Sequence, residues 1–173
     1  MAENIAFATQ LSGKKRLFDR GATRKIAQQA LDRIGVDIDL DARVETIPVA
    51  HKQLVAICRG LASNARLIIM DEPTTALTGR EVQALLGIIR KLKDSGIAVV
   101  FVSHKLAEVL EVCEEVFVLR NGKNVAEGPA RDFNTASLTR HMTGRDVPEA
   151  KPPLNIDRAE TLFAVSYTHL RAH

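Results

Sequence analysis

Apolar positions recur along this chain with two different periods, and the alternation between them predicts its elements. From Ala22 to Ile34 the apolar residues Ala27, Ala30, Leu31 and Ile34 mark one face of a helix. Lys52 to Leu61 predicts a second helix, with Leu54, Val55, Ile57, Cys58 and Leu61 apolar. Leu67–Met70 is a short run without polar interruption, read as a strand. An amphipathic helix over Arg80–Lys93 follows it, aligning Val82, Leu85, Leu86, Ile89 and Leu92 along one stripe. Ile97–Val102 is the longest apolar run and predicts a strand buried on both faces of a parallel sheet. Ser103 is expected to cap a helix through about Cys113, with Leu106, Val109 and Leu110 inward. Val116–Leu119 predicts a third strand, and Asn121–Gly122 a tight hairpin turn into Lys123–Ala126. A last short helix is expected near Thr135–Met142. The first twenty residues read as polar and irregular, and beyond Gly144 the pattern dissolves into a linker, "DVPEAKPPLN".

Strand, helix, strand, helix, strand is an α/β order and implies a parallel sheet flanked by helices. In such sheets ligands gather at the carboxyl ends of the strands. The two most apolar strands end there on Asp71–Glu72 and on Ser103–His104. Adjacent carboxylates repel unless their tasks differ, and in phosphoryl transfer they do: one organises Mg²⁺, the other orients or deprotonates the attacking water. Asp71 suits the metal role and Glu72 the water role, while His104 could reach a terminal phosphate and stabilise the charge developing on it. Taken alone, an Asp-Glu pair is also an ordinary helix start, and a lone histidine after a strand is more often structural. The residues by themselves leave both readings open.

Composition narrows the classes. At 173 residues the chain can bury a core of ordinary size. Its apolar fraction of 46% and charged fraction of 26% are those of a globular protein. A net charge of +3, with only a short basic cluster at Gly13–Arg16, argues against a nucleic-acid partner. No apolar run approaches the length of a membrane span. Cys58 and Cys113 lie apart in apolar-periodic segments, the setting of free buried thiols in a reducing cytosol.

Four ordered motifs carry a family resemblance. "LIIMDEPTTALT" resembles the Walker B strand of an ATP-binding-cassette ATPase, with its D-loop at Ala76, Leu77 and Thr78. "VVFVSHKLAEV" resembles that family's switch-histidine strand, and "VFVLRNGKNVAEG" the hairpin after it. Where the family's Leu-Ser-Gly-Gly-Gln signature would stand, this chain has Ile47, Pro48, Val49, Ala50 and His51. That segment opens a helix whose N–H groups meet ATP held by the opposite domain, so the resemblance assigns Pro48, Val49, Ala50 and His51 to nucleotide contact. Pro48 brings neither a hydroxyl nor an N–H, although proline is tolerated in a first helical turn.

The resemblance therefore implies a partial P-loop NTPase fold, with ATP and Mg²⁺ as ligands, Glu72 and His104 catalytic, and Asp71 at the metal. The variant signature, the threonine in "DEPTTALT" and "RHMTGRDVP" are similar to simple-sugar importers that carry two cassettes in tandem. Residues 1–145 are then expected to be the later two-thirds of a first cassette. The helical subdomain would cover about 1–62 and the Walker B to switch-histidine core about 63–145. Residues 146–164 would be the linker and the start of a second cassette. "VSYTHLRAH", 165–173, resembles translated sequencing-adapter read-through and is expected to be non-native.

Implied partners are a second ATPase domain, a membrane-spanning sugar permease and, indirectly, a periplasmic or extracellular sugar-binding protein. The place of action would be the cytoplasmic face of a bacterial membrane. Two rivals stand beside this reading: a non-transport ATPase of the same superfamily, acting in translation or DNA repair, and a remnant without catalysis. The former would show arm insertions or zinc-ligand cysteine pairs.

No Gly-x-x-x-x-Gly-Lys-Ser/Thr occurs in the 173 residues. "MAENIAFATQ" resembles the stretch just after the family's glutamine loop, so the phosphate loop is expected upstream of Met1. The 173-residue polypeptide alone is predicted to show negligible ATP turnover in a phosphate-release assay. A turnover that Glu72→Gln abolishes would overturn that prediction.

Overall fold

The computed structural model describes residues 1–12 and 19–145. The expected linker and second cassette at 146–164, the tail at 165–173 and the basic cluster at 13–16 lie outside the described residues.

The chain opens with a helix where irregular structure was expected: α1, Ala2–Ser12. Among its side chains that the structure describes, the buried ones are the adjacent Ile5 and Ala6, which give no helical period. Long-range contacts hold it instead. The Ala2 N–H donates to the Leu40 carbonyl, the Met1 ammonium to the Ala42 carbonyl, and α1 packs on two later helices. The first of these is α2, Arg20–Ile34, N-capped by Asp19, whose carboxylate accepts from the Ala22 N–H. It ends at Gly35 in the left-handed region, and the Ile34 carbonyl takes Lys91 Nζ from a distant helix. A 3₁₀ turn at Val44–Thr46 leads to α3, Val49–Ala62. This helix starts three residues before the predicted Lys52, because Pro48 with its fixed φ serves as the N-cap.

Strand β1, Leu67–Asp71, pairs in parallel with β2, Ala98–Val102, with Leu67 opposite Ala98 and Asp71 opposite Val102. The right-handed crossover expected of such a unit runs through α4, Gly79–Asp94. Thr78 and Glu81 form a reciprocal capping box at its start. Helix α4 buries Val82, Leu85, Leu86, Ile88, Ile89 and Leu92. Strands β3, Glu115–Arg120, and β4, Lys123–Pro129, form an antiparallel hairpin. Asn121 and Gly122 turn it with φ of 52° and 72°, as a tight primed turn requires.

The predicted helix from Ser103 is shorter than expected. Helix α5 covers only Leu106–Val112 and is capped by Lys105 rather than Ser103. Residues 103–105 form a turn in which the Ser103 hydroxyl accepts from the Lys105 N–H and the Glu72 carboxylate from the His104 N–H, and helical bonding begins at the Lys105 carbonyl. Helix α6, Thr135–Thr143, closes the described chain behind a capping box at Asn134 and Ser137.

Two apolar cores result. The larger gathers α1 to α4 over Ile68, Met70, Val99 and Phe101 of the parallel pair. The smaller lies under the hairpin, where Val116 and Val118 meet Val109 and Leu138. Phe101 and Cys113 touch both and join them. Cys58 is fully buried and its thiol is pushed up to about 12 by burial, as an inert core sulfur should be.

One expectation is corrected here. The parallel strands are covered on one face only. Alternation of side chains sends Leu67, Ile69, Val100 and Val102 to the other, where they are 51%, 67%, 45% and 46% exposed. Among the described residues no element packs over them. Val100 and Val102 line part of an apolar groove of about 550 Å³ that continues to Phe117, Leu119 and Met142.

The two sides of the sheet should answer differently to substitution. Leu86→Ala, at a side chain with no exposure, is predicted to cost about 2–5 kcal/mol. Ile69→Thr should stay within about 0.5 kcal/mol of the parent. Urea unfolding of the two variants checks this, and equal losses would mean that the open face is buried in solution.

Candidate functional site

Parallel pairing places two strand ends side by side. The Glu72 N–H donates to the Val102 carbonyl at 2.9 Å and extends the β1–β2 ladder by one rung. Glu72 itself sits in the left-handed region, φ 47°. That is a costly backbone for a residue with a Cβ and one that gathers at functional sites. The turn it starts is closed by the Thr75 N–H to the Glu72 carbonyl and the Leu77 N–H to the Thr74 carbonyl.

Glu72 and His104, predicted from separate motifs, are in direct contact. Glu72 Oε1 accepts from the His104 backbone N–H at 3.1 Å and lies 2.7 Å from His104 Nδ1. An ionised carboxylate only accepts, so Nδ1 carries the proton and Nε2 is the ring nitrogen not committed to Glu72. The His104 side-chain bond holds the Glu72 carboxyl below the ordinary carboxylate range. The charge and N–H of His104 and the Thr75 hydroxyl help, against a smaller opposing effect of desolvation. Such a carboxylate is ionised at neutral pH and can accept from a water beside it.

Asp71 ends β1 in an exposed position. It lines a small cavity of about 150 Å³ with Gln53 and Ile57 of α3 and with Pro73. No cluster of three or more His, Cys, Asp or Glu that could hold a metal occurs among the described residues. A lone exposed carboxylate fits Mg²⁺, which keeps several waters and takes one or two protein carboxylates beside phosphate oxygens.

The other predicted residues lie on the α3–α4 side. Val49 and Ala50 open α3, and no side chain caps their end, so the first-turn N–H groups stay available to an anion. Pro48 contributes only its carbonyl, to the Lys52 N–H. His51 is near enough for its charge to lower Glu81, mostly held low by the Thr78 N–H and hydroxyl. Ala76 is exposed, Leu77 packs against the main core, and Thr78 spends its hydroxyl on the α4 cap. Glu72 and His104 thus form one constellation, while the 48–51 and 76–78 segments lead into α3 and α4.

Sequence reasoning missed three residues behind Glu72. Thr74, fully buried, donates its hydroxyl to Glu108 Oε2 at 2.6 Å. Lys105 Nζ donates to the Thr74 carbonyl at 2.9 Å and lies 3.5 Å from Glu108 Oε1. The only available signal was the three-residue spacing of Lys105 and Glu108, a common surface pair.

Known proteins can now be set beside this geometry. No family model matches the chain. It is 42% identical over 165 residues to a ribose import ATP-binding protein of Rubrobacter xylanophilus, spanning 95% of this chain and 33% of that protein. It is 46% identical over 129 residues to the ribose import ATP-binding protein of Corynebacterium glutamicum, 75% of this chain and 24% of the other. One similar structure is an ATP-binding cassette solved as a dimer in a post-hydrolysis state with ADP and Pi. Its TM-score is 0.63 at 25% identity, over 76% of this chain and 57% of that one. The chain carries part of an ATP-binding cassette.

The cassette spans about a third of the length of the curated relatives it matches. A second solved cassette, from an ABC transporter in its ADP conformation, shares the fold with a TM-score of 0.65 at 22% identity, over 80% of this chain and 58% of that one. Within the cassette, the Glu72–His104 contact makes a checkable claim about charge. Because the folded carboxyl is lowered, its contribution to stability is complete above the unfolded carboxylate's range and is lost as pH falls through the lowered value. His104→Ala is predicted to raise the Glu72 carboxyl toward the ordinary range in a ¹³C NMR titration. An unchanged titration would refute His104 as the cause.

Proposed function

We propose that this cassette is part of the ATP-hydrolysing subunit of a bacterial importer for simple sugars. The observation that carries the reading is the pairing of Glu72 with His104 at the adjacent ends of β1 and β2. It is supported by the identity of 42% to a ribose import ATP-binding protein.

Glu72 orients the water that attacks the γ-phosphate. Its lowered, ionised state keeps it an acceptor throughout. His104 is held by Nδ1 and offers Nε2 to the phosphate, where charge accumulates in the transition state. Asp71 would hold Mg²⁺, which when bound neutralises charge on the phosphate oxygens. The uncapped start of α3 at Val49, Ala50 and His51 meets the phosphates of ATP held by a second cassette, with the D-loop residues Ala76, Leu77 and Thr78 beside it. Pro48 leaves this contact to backbone dipoles alone. Closing and opening of the cassette pair drives a membrane-spanning permease, placing the protein at the cytoplasmic face of the membrane. No helix among the described residues is long and apolar enough to cross the membrane itself.

The test replaces the matching segment of a related ribose import ATP-binding protein with residues 1–145 and measures ATP hydrolysis in liposomes containing the permease. Glu72→Gln is predicted to lower kcat about 10²–10⁴-fold while ATP binding is kept. Hydrolysis indifferent to this substitution would end the proposal.

A further inference from the structure

The Glu72–His104 contact is largely open to water: the two side chains are 36% and 65% exposed. An exposed hydrogen-bonded pair contributes little to holding two segments together. Its short distance must therefore be set by something behind it. Glu72 belongs to the turn that leaves β1, and His104 to the link that leaves β2. The ladder rung from the Glu72 N–H to the Val102 carbonyl fixes where the two segments start. It does not fix how they diverge.

Further along both segments, at Thr74 on one and at Lys105 and Glu108 on the other, a second bridge is found, and this one is more buried. The Thr74 hydroxyl donates to Glu108, whose side chain is 14% exposed, and Thr74 is fully buried. Lys105 closes the bridge from the same side, through Nζ to the Thr74 carbonyl and to Glu108. Its own N–H is turned toward the Ser103 hydroxyl at 3.0 Å. Every residue from 103 to 105 is thus tied by a polar contact, which holds the link out of the helix and sets His104 at its crest. A charge-assisted bond to a buried hydroxyl is short and costly to break, so this less exposed inner bridge is the stiffer of the two.

We propose that Thr74 and Glu108 are positioning residues: their buried bond sets the separation of the acid turn and the His104 link, and thereby holds Glu72 on Nδ1 of His104. The inference rests on the reading of Glu72 and His104 as the acting pair. Neither positioning residue touches the reacting groups. Thr74 acts through Pro73 and the turn, and Glu108 through Lys105 and the start of α5. Their effect is on which ring nitrogen of His104 carries the proton. With the contact intact, the carboxylate fixes the Nδ1–H form. Without it, the imidazole exchanges between its two neutral forms.

The experiment is ¹⁵N NMR of the His104 ring in the 173-residue chain, at a pH of about 8, where an ordinary histidine is neutral. The parent and Thr74→Ser should both show a protonated Nδ1 and an unprotonated Nε2, since serine keeps the hydroxyl. Thr74→Val and Glu108→Ala should show the two nitrogen signals moving toward each other as the forms average. Urea midpoints are recorded for all four proteins. A role confined to stability would lower the midpoint and leave the ring spectrum unchanged, and that result would overturn the proposal. If Thr74→Val does not fold, Thr74→Ala and Glu108→Ala decide by the same criterion. No nucleotide enters the measurement. An unchanged ring spectrum therefore defeats the positioning role without touching the hydrolysis reading, and a Glu72→Gln variant with full hydrolysis does the reverse.

Discussion

The register of one pair of parallel strands decides what the rest of this chain can do. Leu67 lies opposite Ala98 and Asp71 opposite Val102, so the two strands end level. A slip by one residue would turn Met70 and Phe101 out of the core and carry Glu72 away from His104. The register is specified by packing: Ile68, Met70, Val99 and Phe101 alternate onto the covered face and meet the apolar stripe of α4. The chemistry at the strand ends is therefore inherited from hydrophobic alternation several residues earlier. Polar contacts at the ends refine a separation that the core has already chosen.

The same economy governs how the two cores are joined. Phe101 and Cys113 each touch both, and they flank α5, the short helix that follows His104. On the outside, Lys93 reaches the Val112 carbonyl at 2.8 Å and pairs with Glu114, while Arg90 pairs with Glu111 at 2.7 Å. These surface pairs contribute little individually. They do orient α5 against α4, the helix that Ala76, Leu77 and Thr78 lead into. His104 is consequently held between two packed bodies rather than on a free loop.

Much of this could be read from residue order, for reasons that differ from element to element. Helix α4 announced itself by a five-residue stripe, and the hairpin by Asn121–Gly122, because those signals are local. The strand ends were readable because the topology of α/β sheets gives them meaning. Helix α1 was not readable: Ile5 and Ala6, buried among its described side chains, show no helical period, and the helix packs on α2 and α3 and bonds to the Leu40 carbonyl. The start of α5 was misjudged because Ser103 is a good cap in isolation, whereas its hydroxyl accepts from the Lys105 N–H in a turn that precedes the helix. The open face of the strands was invisible too, since an apolar run says that burial is favourable and not what supplies it. The bridge from Thr74 to Glu108 joins residues 34 apart in sequence, and no periodicity encodes a side-chain hydrogen bond at that range.

Glu72 has one more consequence, for how this position tolerates change. Its φ of 47° is a conformation that glycine adopts freely and glutamate does not. Replacement by glycine would relax the backbone while removing the carboxylate, so a search for greater stability alone would drift away from the acid. Replacement by asparagine would relax it partly and keep a polar side chain too short to hold the same contact. Glutamate at such a site answers no demand that the backbone itself makes. Libraries screened only for solubility or thermal tolerance should be expected to lose Glu72 early, and with it whatever the strand ends are for.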